Sequence, residues 1–381
     1  MRLVHVITGL DVGGAELMLK RLVESDPAGV EDTVVVSLTS LGLVGEALRA
    51  GGVRVHALGM RSPLDAPAAL RRLVRLVREH RPEVVQTWMY HADLWGGLAG
   101  RLAGSAPVVW NIRTTDIPQG PSGLTYWLVR LCAACSHFIP ARIVSCSRAA
   151  SEAHRKLWYD TGRITVIPNG YDFSTLQFSS EGRTHVRRSL GIGDTATVVG
   201  IVGRWDPLKD YRTFVSAAAR VAAARPEVLF LMVGRGLEES NPELRGWIED
   251  AGLSARFRLV GQQPGVAGHL SAMDVFCLSS ASEAFPNVVV EAMAVGLPCV
   301  VTRAGDAADI LGDPDLVVPV GDPARLAEVL VGVCALGPAE RGTIGARNAE
   351  RVRREYGIDG IRRRYLEVYE SVLHPGGSDG R

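Results

Sequence analysis

The sequence has none of the long apolar segments that would place it in a membrane. No run reaches the ~18 apolar residues that a spanning helix needs. The most apolar long stretch, residues 123–140, is interrupted by Arg130, Ser136 and His137. The first residues, MRLVHVITGLDVGGAE, lack an apolar core followed by a small-residue cleavage site. They are therefore predicted to form a strand rather than a signal peptide.

Charge of one sign is also scarce. The formal net charge is +1 at pH 7, which disfavours nucleic acid as a partner unless a basic patch is strongly local. The net charge is +5 over residues 1–170 and −4 over the remainder. A stripe of Arg71, Arg72, Arg75 and Arg78 lies in the basic half. This pattern fits either peripheral contact with the inner face of a membrane or an ordinary solvated surface.

Cysteine is sparse, and no metal-binding pattern is complete. Most of the six cysteines lie in apolar runs such as IVSCS and DVFCLS, where a thiol behaves as a small buried hydrophobic group. This predicts a reducing, cytoplasmic compartment. Cys132 and Cys135 form a C-x-x-C without the second pair or nearby His that zinc requires. Asp313 and Asp315 have D-x-D spacing but lie in a turn before a short strand, so we predict no metal and no resident cofactor.

The composition is that of a globular α/β protein. Hydrophobic residues make up 47% of the 381 residues and charged residues 22%, which suits two domains with sizeable cores. Short β-branched runs alternate with amphipathic stretches, the pattern of βαβ units in parallel sheets. The predicted strands are residues 3–8, 33–38, 53–58, 83–88, 107–112, 142–147 and 164–168, then 196–203, 228–234, 257–261, 274–279 and 298–302.

Two tandem Rossmann-like, doubly wound domains explain this series better than one very wide sheet. We predict an N-terminal, acceptor-side domain at residues 1–175, a C-terminal donor-binding domain at 176–355, and a helix and tail at 356–381. Residues 339–373 form a charged helical pattern in which the apolar positions Ile361, Tyr365, Val368 and Val372 recur at helical spacing, so we expect a packing helix. The polar stretch 173–182 has no clear periodicity and is the predicted linker. Ligands of such sheets sit outside the carboxyl ends of the strands, so the two domains are expected to face an interdomain cleft.

Three loops that follow predicted strands could carry chemistry. In GLDVGGAE, Gly13 and Gly14 precede a helix whose first N–H groups could meet a phosphate or sugar; a tight structural turn is the alternative. In GRWDPLKD, Arg204 and Lys209 are two cations suited to a diphosphate; pairing of the Arg with a neighbouring Asp is the alternative.

The third loop, SEAFPNVVVEAMAVGLP, is the most informative. Glu283 lies in the loop, and Glu291 lies in the following helix among apolar residues. A carboxylate there costs free energy unless it is paired or bonded to ligand hydroxyls. We therefore favour a ligand role for Glu291 over a buried ion pair.

These loops resemble those of the retaining, nucleotide-sugar-dependent glycosyltransferases of family four, which have the GT-B fold. The resemblance runs nearly end to end and includes GLDVGGAE, VIPNGYD, GRWDPLKD and SEAFPNVVVEAMAVGLPCV. Two glutamates separated by seven residues, with F-P-N between them, are its most specific part.

The resemblance implies roles for individual residues. Arg204 and Lys209 would hold the donor diphosphate and stabilise the charge that grows on it, and Glu291 would bind the ribose hydroxyls. Glu283 would contact the transferred sugar. Gly13 and Gly14 would close over the diphosphate. Backbone N–H groups around Phe285, Pro286 and Asn287 would complete the phosphate and sugar site.

One position departs from the family pattern. Many similar enzymes carry a His just after the fifth strand, where this chain has Arg113 in VVWNIRTTD. Arg cannot act as a base near neutral pH, but it can hold a phosphate or an acceptor carboxylate. His91, at the end of the preceding strand, could supply an imidazole to the cleft or be an ordinary helix-start residue.

The sequence therefore predicts a hexosyl- or N-acetylhexosaminyltransferase that uses a nucleotide-diphosphate sugar, with UDP expected on family grounds. The acceptor is a glycan, a lipid-linked sugar or a small molecule. Two alternatives stay open at this point. One is a sugar-nucleotide epimerase of the same fold, and the other is a non-catalytic nucleotide-sugar-binding subunit.

Overall fold

The chain forms two units, each built on one parallel sheet. The computed structural model describes residues 1–104, 106–117 and 123–374. One unit comprises Met1–Tyr171 with Tyr356–Arg381, and the other comprises Asp172–Glu355. The predicted boundary after residue 175 compares with an observed division after Tyr171, and the C-terminal segment belongs to the first unit. Two Rossmann-like α/β units are thus confirmed.

The first unit has seven strands, all parallel, in the order β3-β2-β1-β4-β5-β6-β7. They are β1 (Leu3–Ile7), β2 (Thr33–Ser37), β3 (Arg54–Ala57), β4 (Val84–Trp88), β5 (Val108–Ile112), β6 (Arg142–Ser145) and β7 (Ile164–Val166). Its helices are α1 (Gly14–Glu24), α2 (Gly42–Ala50), α3 (Ala66–His80), α4 (Tyr90–Ala103), α5 (Leu124–Cys135), α6 (Arg148–Arg155) and, at the C-terminus, α15 (Ile358–Leu373).

The second unit has six parallel strands in the order β10-β9-β8-β11-β12-β13. They are β8 (Val198–Val202), β9 (Leu229–Val233), β10 (Phe257–Leu259), β11 (Val275–Leu278), β12 (Cys299–Thr302) and β13 (Val317–Val318). Its helices are α7 (Ser180–Ser189), α8 (Tyr211–Ala224), α9 (Pro242–Asp250), α10 (Ala267–Ala272), α11 (Asn287–Val295), α12 (Ala307–Leu311), α13 (Pro323–Ala335) and α14 (Pro338–Tyr356).

All twelve predicted strands are present. Strands such as β2, β4, β5 and β8 are buried along their whole length. A parallel sheet is covered by helices on both faces, so its central strands appear in sequence as continuous apolar runs. This is why short runs of Val, Ile and Leu located them.

The predicted linker is shorter than residues 173–182. Helix α7 begins at Ser180, because the hydroxyl of Ser179 accepts a hydrogen bond from the N–H of Gly182 at 2.9 Å. Serine at this position satisfies one of the free N–H groups of a first helical turn. The serines that suggested a linker therefore include a helix cap.

The C-terminal helical pattern divides into two helices that belong to different units. The break lies at Gly357, where the N–H of Ile358 donates to the carbonyl of Tyr171 at 2.9 Å. Beyond it, α15 packs into the first unit, and Ile361, Tyr365 and other apolar residues of α15 are buried in that core. The prediction of a packing helix is confirmed for this part.

Both sheets reverse their strand order at an equivalent place. The reversal lies between β1 and β4 in the first sheet and between β8 and β11 in the second. In open α/β sheets, ligands bind outside the carboxyl ends of the strands at such a reversal. The loops after these strands are therefore where each unit is expected to carry its site.

Candidate active site

The second sheet places two predicted binding loops side by side. The loop after β8 carries Arg204 and Lys209, and the loop after β11 carries Glu283. The two strands are adjacent and parallel, so both loops leave the same edge at the reversal of strand order. The sequence predicted each loop, and the sheet order brings them together.

Lys209 and Glu283 contact each other directly. Nζ of Lys209 lies 2.6 Å from Oε1 of Glu283, and the hydroxyl of Ser280 donates to the same oxygen at 2.7 Å. Only 21% of the Lys209 side chain and 10% of the Glu283 side chain are exposed. The cation predicted to bind diphosphate and the carboxylate predicted to contact the sugar thus form one polar cluster.

The two loops are also joined through their backbones. The N–H of Ala281 donates to the carbonyl of Leu208 at 2.8 Å, and the hydroxyl of Ser279 donates to the carbonyl of Lys209 at 2.8 Å. Asp210 adopts a left-handed conformation with φ 46° and caps α8 with its carboxylate. The segment that presents Lys209 is therefore fixed on both sides.

Arg204 is held more loosely. Its Nε and Nη2 lie 3.0 and 2.8 Å from Oδ2 of Asp206, and 62% of the side chain is exposed. Asp206 also caps the turn Pro207–Lys209 by accepting from the N–H of Leu208. The alternative reading of Arg204, pairing with a neighbouring Asp, is therefore present. An exposed pair of this kind contributes at most about 1 kcal/mol, so it is a weak competitor for a phosphate.

An aromatic support beneath Arg204 was not predicted. The rings of Trp205 and Tyr211 stack with centroids 5.6 Å apart and an interplanar angle of 5°. The Tyr211 hydroxyl donates to the carbonyl of Arg204 at 3.0 Å. Next to this loop, Gly234 has φ 142°, and a Cβ there would lie 1.9 Å from the carbonyl oxygen of Gly203. The prediction for this loop rested on its charged residues, and nothing in the sequence indicated a supporting role for Trp205.

A third loop fixes the backbone of Glu283. Gly305 has φ 54°, and a Cβ on it would lie 2.0 Å from the carbonyl oxygen of Glu283. The N–H of Asp306 donates to the carbonyl of Ala284 at 3.3 Å. Only glycine permits this close approach, so the loop after β12 holds the Glu283 loop in place.

The start of α11 carries the predicted backbone donors. Pro286 stands immediately before the helix and has no N–H, so the N–H groups of this segment are those of Phe285 and Asn287. The Phe285 side chain is buried, which leaves its backbone as the contacting group. Glu291 is half-buried and lies four residues after Asn287, on the same face as the helix start.

The first sheet gathers the remaining predicted residues at its own reversal. Gly13 and Gly14 follow β1, His91 follows β4, and Arg113 follows β5. Gly13 has an extended backbone, with φ −157°. A Cβ on it would lie 2.3 Å from Oε2 of Glu16. The Glu16 carboxylate therefore lies directly beside the Gly13 backbone.

Two titratable side chains at this edge have shifted pKa values. Burial raises the pKa of Glu16, and the positive charge of Arg113 acts in the opposite direction. His91 is the second residue of α4 and reaches solvent, and partial desolvation lowers the pKa of its imidazole. The imidazole is therefore neutral at pH 7 and able to accept a proton.

Arg113 belongs to a cluster that includes a residue from the last helix. Its Nη1 lies 3.3 Å from Oδ1 of Asn111 and 3.3 Å from the hydroxyl oxygen of Tyr365. Its guanidinium lies 5.5 Å from the ring centre of Trp88. Nη2 is buried and has no hydrogen-bond partner within the described part of the chain. A buried donor without a partner is costly, which favours an anionic ligand group at this position.

Tyr365 was not predicted as a site residue. The period of Ile361, Tyr365, Val368 and Val372 identified a packing face, and three of these four residues are buried. The periodicity cannot show that the tyrosine hydroxyl reaches the end of β5. A tyrosine within an otherwise aliphatic stripe was the one available signal.

The two weaker metal-binding patterns have structural roles. Asp313 caps the turn Pro314–Leu316 by accepting from the N–H of Asp315 at 3.2 Å, and it forms an ion pair with Arg347. Cys132 is buried in α5, where burial raises the pKa of its thiol. Among the residues that the structure describes, no group of three or more His, Cys, Asp or Glu could hold a metal.

Family models and relatives agree on the class of protein. The model for Glycosyltransferase Family 4 matches residues 12–175, and that for Glycosyl transferases group 1 matches residues 196–335. A 2-deoxystreptamine N-acetyl-D-glucosaminyltransferase from Streptomyces fradiae is 31% identical over 95% of this chain and 91% of its own length. The lipopolysaccharide core glycosyltransferase LpsE from Rhizobium meliloti is 26% identical, over 97% of this chain and 99% of its own.

Solved structures agree on the fold. HepE from Anabaena, in a complex with UDP, superposes with a TM-score of 0.85 at 21% identity and covers 97% of this chain and 100% of its own. Sucrose-phosphate synthase from Thermosynechococcus elongatus gives a TM-score of 0.77 at 19% identity, over 99% of this chain and 100% of its own. With the sequence matches, these similarities show that the chain is a glycosyltransferase of family four with the GT-B fold.

Proposed function

We propose that this glycosyltransferase moves a hexose or an N-acetylhexosamine from a UDP-sugar to an acceptor, with retention of configuration. The acceptor is a glycan, a lipid-linked sugar or a small molecule. The observation that carries the proposal is the cluster of Lys209, Glu283 and Ser280 at the reversal of the second sheet. The Lys209 cation and the Glu283 carboxylate lie 2.6 Å apart. The cation suits the diphosphate of a donor, and the carboxylate suits the hydroxyls of the sugar attached to it.

The roles of the charged residues follow from their surroundings. Lys209, shielded and fixed on both sides, is proposed to hold the diphosphate and to stabilise the charge that grows on the leaving group. Arg204 exchanges Asp206 for a phosphate oxygen when the donor binds. Glu283 receives the sugar hydroxyls once Lys209 turns to the phosphate, and Glu291 binds the ribose.

The names of similar proteins support the choice of donor. HepE has been crystallised with UDP and with UDP-glucose, and the Streptomyces fradiae relative is named as an N-acetyl-D-glucosaminyltransferase. UDP-glucose and UDP-N-acetylglucosamine are therefore the first donors to test.

We further propose that the reaction needs no metal, so a chelator should leave turnover unchanged. We also propose that it takes place in the cytoplasm, with peripheral contact to a membrane.

The decisive experiment separates the two glutamates. Ribose hydroxyls change little during transfer, so Glu291→Gln should mainly raise KM for the donor. The sugar changes charge as its bond breaks, so Glu283→Gln should lower kcat much more than donor affinity. Glu328→Gln is the matched control, because Glu328 forms an exposed ion pair with Arg325. Steady-state kinetics and direct donor binding are measured for all three variants.

The outcomes distinguish the proposal from its rivals. Loss of turnover by Glu291→Gln with full donor affinity, together with a pure binding defect in Glu283→Gln, would reverse the assigned roles. Conversion of the donor to an epimer without any acceptor would indicate an isomerase. Donor binding with neither transfer nor donor hydrolysis, over a broad acceptor screen, would indicate a non-catalytic subunit.

A further inference from the structure

Helix α5 presents an apolar face to solvent. Leu124, Trp127 and Leu131 are 75%, 60% and 48% exposed, and their spacing of three and four residues places them on one side of the helix. Phe138, seven residues after Leu131 and just beyond the end of the helix, is 74% exposed. Large side chains left exposed in a continuous row mark an interaction surface rather than scattered surface residues.

A fifth large side chain extends this face. Trp158 is 81% exposed, and its carbonyl oxygen lies 3.0 Å from Nε2 of His137, the residue next to Phe138. Trp158 also has φ 73°, a left-handed conformation that is unfavourable for a bulky residue. The turn that ends α6, in which the N–H of Tyr159 donates to the carbonyl of His154, holds this tryptophan at the surface. We call Leu124, Trp127, Leu131, Phe138 and Trp158 the α5 face.

The segment of chain that carries the α5 face is basic. Residues 123–163 contain six Lys and Arg but only two Asp and Glu, a net charge of +4. Both carboxylates are already paired, Glu152 with Arg155 and Asp160 with Arg163. Arg130 lies on α5 itself and is exposed.

The charge decides between the candidate occupants. A two-fold contact of this face with a second copy would bring together two segments that each have a net charge of +4, which disfavours a dimer. An anionic bilayer provides both an apolar layer for the side chains and negative head groups for the basic rim. Tryptophan is also well suited to the membrane interface. No helix among the described residues is long and apolar enough to cross a membrane, so the contact is peripheral.

The arginine stripe on α3 is a weaker candidate, because its side chains are engaged. Arg72 donates to the carbonyl of Leu58 at 3.1 Å, and Arg78 donates to the carbonyl of Leu102 at 2.9 Å. Arg75 pairs with Glu79. The α3 stripe therefore packs on its own unit.

We infer that the α5 face binds the surface of an anionic lipid bilayer. This gives the peripheral contact within the proposed function a defined surface, and it does not depend on the transfer reaction. The basic rim approaches the head groups first, and Trp127, Leu131 and Trp158 then insert into the interface. The α5 face contains none of the residues assigned to the transfer reaction, so lipid binding and turnover can be measured separately.

The test is sedimentation with vesicles of phosphatidylglycerol and phosphatidylcholine at low salt. The wild-type chain should bind these vesicles, bind pure phosphatidylcholine far less, and dissociate as salt rises. The affinity of the double variant Trp127→Ser, Leu131→Ser for these vesicles should be lower by about tenfold or more. Leu64→Ser, which changes a 90% exposed leucine elsewhere in the same unit, should bind like the wild type. Arg71→Glu should do the same.

Several results would overturn the inference. They are no binding of the wild type to anionic vesicles, equal binding by the double variant, and a loss of binding with Arg71→Glu alone. A concentration-dependent dimer that the double variant abolishes, without vesicle binding, would instead identify a second copy as the occupant. Unchanged thermal unfolding of each variant excludes misfolding. Failed transfer with intact vesicle binding would count against the proposed function only.

Discussion

The hydroxyl oxygen of Tyr365 lies 3.3 Å from Nη1 of Arg113, although 252 residues separate the two in the sequence. It also accepts a hydrogen bond from Nδ2 of Asn111 at 3.0 Å. Tyr365 comes from α15, and its ring stacks on Trp88 with centroids 6.3 Å apart. The last helix therefore orients the cation that stands where many similar enzymes have a His.

Removing this hydroxyl should affect turnover more than folding. In Tyr365→Phe the ring remains packed, while Arg113 and Asn111 lose one acceptor, a change of about 0.5–1.5 kcal/mol in stability. We expect kcat to fall several-fold as Arg113 loses its orientation. Tyr369→Phe is the control, since the Tyr369 hydroxyl is buried and has no partner among the described residues. Equal effects of the two variants on kcat would contradict a positioning role.

Arg113 itself gives a second prediction. Its buried Nη2 has no partner in the described chain, which suits a charged hydrogen bond to substrate worth about 1.5–3 kcal/mol. Arg113→Ala should therefore lower kcat/KM by about 10- to 150-fold. Arg113→His should retain measurable activity, because the imidazole restores a donor at the position. A fully active Arg113→Ala variant would make the residue purely structural.

Arg204→Ala and Lys209→Ala should weaken UDP binding far more than uridine binding. Each removes a charged hydrogen bond to the diphosphate, a loss of about 10- to 150-fold. Lys209→Ala should have the larger effect, since it also leaves Glu283 without its charged partner at 2.6 Å, whereas Arg204 is 62% exposed. Titration calorimetry with both ligands measures this, and equal losses for UDP and uridine would refute the diphosphate role.

A buried carboxyl group predicts the pH dependence of stability. Burial raises the pKa of Asp93 to about 7. Between its ordinary pKa of 3.8 and pH 7, the unfolded chain loses this proton while the folded chain keeps it. The free energy of unfolding should therefore fall by up to about 1.4 kcal/mol per pH unit over this range. Asp93→Asn should flatten that part of the profile in urea unfolding, and an unchanged profile would argue against a raised pKa.

The sequence was sufficient to predict elements that have a local pattern of residue types. Every buried strand appeared as an apolar run, and the loops with Arg204, Lys209 and Glu283 follow such strands directly. What it could not supply is distance between segments remote in sequence. The Lys209 to Glu283 contact depends on β8 lying beside β11. The Arg113 to Tyr365 contact depends on α15 packing against the first sheet. Predicting either contact requires the order of strands and helices in space, and the periodicity of hydrophobic residues does not encode that order.

The Asn287 to Glu291 helix shows a subtler limit. The sequence pattern predicts a helix that contains Glu291, but only the structure shows that this helix begins at Asn287. Likewise, the pair of glycines predicted either a ligand contact or a tight turn, and the structure adds that the backbone of Gly13 is extended. Residue type alone did not show which constraint applied.

Because α15 packs into the first unit, the core of that unit can be completed only after α15 has left the ribosome. Residues Met1–Tyr171 emerge first, but their core includes Ile361, Tyr365, Val368 and Tyr369, which are synthesised last. The second unit is continuous in sequence and has all its strands before that point. The apolar surface that α15 covers in the first unit therefore stays exposed until the second unit and then α15 have been synthesised.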